Sequence, residues 1–226
     1  MDIHLQSKNI FFSGALRLTS VFIICFCTLF CLSCSNNVPQ VHNAKLNIIF
    51  DYDSMESLPN VRMGIFVEAT SNPRRFEKIT VAPKGKDYSW EVTDLLLAES
   101  HEQKYSGAVN LVMPKDEQFP TGEYQIEYIQ SDEETSDIKI GLFYDKKLYE
   151  LKGSDVAQYM TNAMGSKMIK IYDENKKIIY YGPRTVELRD ARNIWNNYRE
   201  AAEFQETWVN GSVICNMPIE KVEPGN

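Results

Sequence analysis

Phe119-Pro-Thr-Gly-Glu-Tyr124-Gln-Ile126 is the stretch on which the fold turns. Pro120 and Gly122 mark a turn, because proline presets its own φ and glycine tolerates conformations that other residues avoid. Beyond the turn, Tyr124 to Ile129 alternates apolar and polar residues, the period of a half-buried strand. The same period recurs outward in both directions. Upstream, Leu46, Ile48 and Phe50 point one way with Asn47 and Ile49 opposite, and Met63, Ile65 and Val67 alternate with Gly64, Phe66 and Glu68. Ile79-Thr80-Val81 and Tyr88 to Val92 predict two strands joined by a Pro83-Lys84-Gly85 turn, and Val109, Leu111 and Met113 predict another. Downstream, Ile138 to Tyr144 follows the acidic loop Ser131 to Asp137. About seven short strands at this spacing predict an antiparallel β-sandwich over residues 44–150.

The opening stretch resembles the start of strand F in immunoglobulin-like and fibronectin III-like domains. In those domains a Pro-x-Gly turn leads into a tyrosine whose hydroxyl caps the corner, and an apolar residue two positions on enters the core. The resemblance assigns these roles to Tyr124 and Ile126, and offers Trp90 as the core tryptophan, later than strand C would place it. An antibody-type disulfide between the sheets is excluded, because Cys215 is the one cysteine beyond Cys34.

After Glu150 the texture changes, and residues 151–226 read as a smaller α/β extension. Ser154 to Met164, closed by Gly165, predicts a short helix. Met168 to Tyr172 and Lys177 to Tyr181 flank Asp173-Glu-Asn-Lys, the pattern of a hairpin that Gly182-Pro183 ends. Thr185 to about Phe204 predicts one amphipathic helix, with Leu188, Ala191, Trp195, Tyr198 and Ala202 on a single face. Asn210-Gly211 either stops that helix or turns a last hairpin between Thr207-Trp208-Val209 and Ser212-Val213-Ile214.

The N-terminus is of another kind. Lys8 and Arg17 precede an apolar run from Leu18 to Leu32, about 15 residues and so shorter than the roughly 20 that a span requires. Residues 1–33 therefore read as an export signal, and an uncleaved anchor would have to bury Arg17. Phe30-Cys-Leu-Ser-Cys34-Ser35 resembles the lipobox of bacterial lipoproteins, with small Ser33 before the cysteine and Leu32 one position late. The resemblance implies lipid on Cys34, a membrane-anchored protein of the bacterial envelope, and a tether over residues 34–43. Cleavage after Ser35 is the competing reading. Four of the five cysteines lie in or at the end of this segment, so Cys215 has no partner and reads as a buried apolar thiol.

Chemistry is the sparse part. With 24 Lys+Arg against 31 Asp+Glu the chain is acidic, which argues against nucleic acid. His42 and His101 stand alone, so no metal and no cofactor are expected, and no nucleophile, phosphate-loop or dinucleotide motif occurs. Tyr172, Tyr180, Tyr181 and Trp208 are the candidate ligand-contacting aromatics, with core packing as their alternative. The expectation is a non-enzymatic module, tethered to a membrane, that binds an envelope protein or polymer. An envelope hydrolase or its accessory subunit, and a purely structural lipoprotein, remain alternatives.

Overall fold

Twelve strands and two helices make up the described part of the chain, which in this computed structural model comprises residues 39–70, 76–100 and 103–222. Residues 1–38, which hold the expected export signal, Cys34 and the start of the expected tether, and His101 lie outside the described residues.

The first eight strands are β1 (Gln40–Asp51), β2 (Asn60–Thr70), β3 (Phe76–Pro83), β4 (Trp90–Val92), β5 (Leu96–Ser100), β6 (Gln103–Leu111), β7 (Gly122–Gln130) and β8 (Thr135–Leu142). They pair as β1-β2-β6-β5 in one sheet and β4-β3-β7-β8 in the other. In immunoglobulin letters these are the A-B-E-D and C′-C-F-G sheets, so the chain is an immunoglobulin-like sandwich by its own topology. β7 is strand F, and its tyrosine does what the turn sequence predicts. Tyr124 is fully buried and donates its hydroxyl proton to the Pro120 carbonyl at 2.7 Å. Trp90 lies on C′, within 5.5 Å of the Phe119 ring centroid, and caps the same corner.

Alternation decides which residues enter the core. Ile48, Phe50, Met63, Ile65, Val67, Ile79, Val81 and Ile126 are all sealed between the sheets. Gly107 is required where β6 crosses β2, because a Cβ there would stand 1.8 Å from the Ile65 carbonyl oxygen. Strand limits differ from the sequence reading in several places: β6 begins at Gln103 and not near Val109, β8 begins at Thr135 inside the stretch read as an acidic loop, and residues 40–43 of the expected tether belong to β1. β1 begins at Gln40, four residues before the alternation becomes visible, and pairs with β2 from Gln40↔Thr70 onward. β5, whose Leu96 and Leu97 are exposed on the sheet's edge, carries no alternation and went unpredicted.

The remaining strands are β9 (Ser166–Tyr172), β10 (Ile178–Pro183), β11 (Glu203–Asn210) and β12 (Val213–Lys221). They extend the first sheet beyond strand A. β12 lies parallel to β1 with Ile48↔Val213 and Asp51↔Asn216 in register, and the whole order is β10-β9-β11-β12-β1-β2-β6-β5. The helix α1 (Gly153–Asn162) sends Val156 and Met160 into the sandwich core beside Trp208 and Cys215. Cys215 is buried and free, and burial pushes its thiol up to about 12.

The long helix expected over 185–204 is instead a short turn at Val186–Leu188 followed by α2 (Ala191–Asn197). Tyr198 already has extended backbone, and the Ala202 amide donates to the Tyr172 carbonyl at 2.8 Å. Pairing with β9 has overridden the helical period, because that strand offers Glu203 to Val209 seven residues of ladder. α2 covers a second, smaller core of Ile169, Ile171, Leu188, Ile194, Ala201, Phe204 and Val222. Trp195 and Tyr198 pack on its margin, half-buried.

Candidate functional site

Three segments meet where strand G leaves the sandwich. β8 ends at Leu142, and Phe143, Tyr144 and Asp145 lead into a tight helical turn over Lys146–Glu150. The end of α1 and the β11–β12 turn close on the same place. The result is an open cleft of about 360 Å³ lined by Phe143, Tyr144, Asp145, Tyr159, Met160 and Asn210 among others, with no histidine, cysteine or lysine in its wall.

Each wall is fixed. Asp145 caps the turn, its Oδ1 accepting from the Lys147 amide at 2.9 Å and its Oδ2 accepting from the Tyr159 hydroxyl at 2.8 Å. These two hydrogen bonds hold its carboxyl below the usual range. Burial and the same carboxylate push the Tyr159 hydroxyl up to about 12. Asn210 donates to the Ala163 carbonyl at 2.9 Å, and the Ser212 hydroxyl donates to the Phe143 carbonyl at 3.3 Å, so the hairpin tip is pinned to both other walls. Gly211, at φ 56, allows that tip to turn within two residues. The rim is apolar and bare. Phe143 is 70% exposed, and Met164, which follows Ala163 in a left-handed conformation, is 91% exposed.

A second polar assembly crosses the outer face of the large sheet. Arg62 on β2 donates to both oxygens of Asp51 on β1, and Asp51 accepts from the Asn216 amide on β12 at 2.7 Å. Asn216 Oδ1 in turn accepts from Thr207 on β11 at 3.1 Å and from Lys170 on β9 at 2.7 Å. Five adjacent strands are thereby tied across the joint between sandwich and extension. Burial draws the Lys170 ammonium down to about 8, while Asp51 pulls the other way. Every member already has a partner within the row, which makes this a structural seam rather than a receptor.

The four aromatics singled out from sequence do not converge. Tyr172 and Tyr181 point to the outer face of the sheet, Tyr180 and Trp208 to the inner. Tyr172 donates to Gln205 at 3.2 Å, Tyr180 packs against Tyr198 with the rings tilted and their centroids 5.5 Å apart, and Trp208 is 7% exposed within the sandwich core. Tyr181 alone of the four is exposed. Among the described residues no group of three His, Cys, Asp or Glu side chains is placed to hold a metal.

Phe143, Asp145, Tyr159 and Asn210 were not singled out from the sequence. One signal was present. If Leu142 faces the core, alternation sends the large ring of Phe143 to solvent, where a buried-strand pattern has no use for it.

No family model matches the chain, and no curated protein matches it. Among solved structures, murine CEACAM1b aligns over 81% of this chain and all of its own, at 8% identity and a TM-score of 0.19. A structure of the mouse coronavirus receptor-binding domain with its murine receptor aligns at 7% identity and a TM-score of 0.15. Likenesses of this size carry no information on activity or partner.

Proposed function

We propose that this chain is an exported, non-enzymatic binding module, anchored through lipid on Cys34, that engages an envelope partner at the cleft beside Phe143. The observation that carries the reading is the rim itself. A phenyl ring left 70% exposed at the edge of a walled cleft forgoes the stabilisation that burial would supply, and such rings serve as anchors at interfaces.

The test is photocrosslinking in bacterial cells expressing the full chain, with a benzophenone amino acid at position 143 and, as control, at Asp137 on the preceding strand β8. The reading predicts a discrete adduct from 143 that the control does not form. No adduct from 143, or the same products from both positions, would refute it.

A further inference from the structure

The wall of the cleft combines aromatic rings with one carboxylate, and that combination has a chemical preference. We infer that the cleft receives a basic side chain, lysine or arginine, presented by a partner polypeptide. The inference rests on the cleft being the binding surface and adds the class of its ligand.

Phe143, Tyr144 and Tyr159 line the cleft around Asp145. Aromatic faces carry negative potential and attract ammonium and guanidinium groups, most strongly where water is partly excluded. Asp145 supplies the formal charge. Each of its oxygens accepts one hydrogen bond, from Lys147 or from Tyr159, and each keeps a further acceptor position. An anionic ligand would meet that carboxylate as a like charge. A neutral apolar ligand would strip water from it without replacing the lost hydrogen bonds. Lys146 and Lys147 follow in the chain, and the Lys147 charge acts weakly on Asp145, but neither lysine lines the cleft and no cation stands among the lining residues. The net charge of −7 adds a long-range pull on basic partners. Tyr144 lines the cleft with its ring packed 6.1 Å from both Phe50 and Tyr149 and its hydroxyl donating to the Phe119 carbonyl, so that wall is held in place before any ligand arrives.

The experiment uses the full-length protein in detergent micelles with ¹³C-labelled methionine methyls. Met160 lines the cleft and is the reporter. Three capped tripeptides are titrated, glycine flanking lysine, norleucine or glutamate. The lysine peptide is expected to give a saturable Met160 shift, with the other two at least ~10-fold weaker. Asp145→Asn keeps the capping oxygen and the volume, so the fold survives, while affinity for the lysine peptide falls ~10-fold and depends less steeply on salt. Equal binding of lysine and norleucine peptides overturns the inference and leaves an apolar binding surface standing. No saturable shift with the lysine peptide overturns it as well, and crosslinking at position 143 then decides separately whether the cleft binds anything.

Discussion

Asn216→Ala tests the joint between the sandwich and its C-terminal strands. Asn216 is 4% exposed, and its amide is hydrogen-bonded to three side chains, Asp51, Thr207 and Lys170. Two of those partners are charged. Hydrogen bonds to charged groups contribute about 1.5–3 kcal/mol each and neutral ones about 0.5–1.5, but the losses are not additive. Asp51 keeps Arg62, and its side chain is 28% exposed, so water recovers part of its loss. Lys170 keeps only the longer contact to Gln205 at 3.5 Å among its hydrogen bonds. The expected cost is about 2–4 kcal/mol, a large fraction of the 5–15 kcal/mol that holds a typical domain. In a domain of this size that lowers the melting temperature by roughly 5–12 °C. The assay is urea unfolding of the full chain followed by tryptophan fluorescence, repeated in Lys170→Met and in the double variant. Removing the lysine should make the asparagine's loss smaller, because the least compensated group is then gone. A cost below about 1 kcal/mol with no coupling would show that the row does not hold the joint.

Wild-type protein should label with palmitate and partition into detergent, and Cys34→Ala should lose both properties. Soluble wild type with Asn36 as its first residue would establish ordinary cleavage instead. Trp195→Ala should cost about 1.5–3 kcal/mol, less than the 3–5 of a fully buried ring, because Trp195 sits half-buried on the margin of the second core with Arg199 over its face. A cost under about 0.5 kcal/mol by thermal melt would free that face for a ligand. The Tyr52 hydroxyl is buried without a hydrogen-bond partner among the described residues. Tyr52→Phe should therefore stabilise the domain by about 1 kcal/mol in urea, and destabilisation would reveal a partner for that oxygen.

What could be read in the sequence was local. The corner at Tyr124 needed only a turn, an alternating strand and a resemblance within eight residues. The β9–β10 hairpin also announces itself through its turn residues, and Asn210-Gly211 offers the β11–β12 hairpin as one of two readings. The helix ending at Asn197 could not be bounded in that way. Tyr198 and Ala202 continue the helical spacing, and only the neighbouring strand β9, distant in sequence, claims them for extended backbone. Likewise β12 lies against β1 with Phe50 opposite Cys215, a pairing for which neither strand carries a visible mark. The cleft follows the same rule. Its walls come from residues 143–148, 159–163 and 210–213, and no spacing within any one segment relates it to the others.

The central claim is that Phe143 is displayed for a partner and contributes nothing essential to the fold. The competing use is structural, since its ring lies over Gly141, where a Cβ would stand 2.4 Å from the ring edge, and such a ring can shield a strand glycine. A thermal and urea melt of Phe143→Ala separates the two. Display predicts stability within about 0.5 kcal/mol of wild type, as for other exposed substitutions. A loss of about 2 kcal/mol or more would contradict it and return Phe143 to the architecture of strand G.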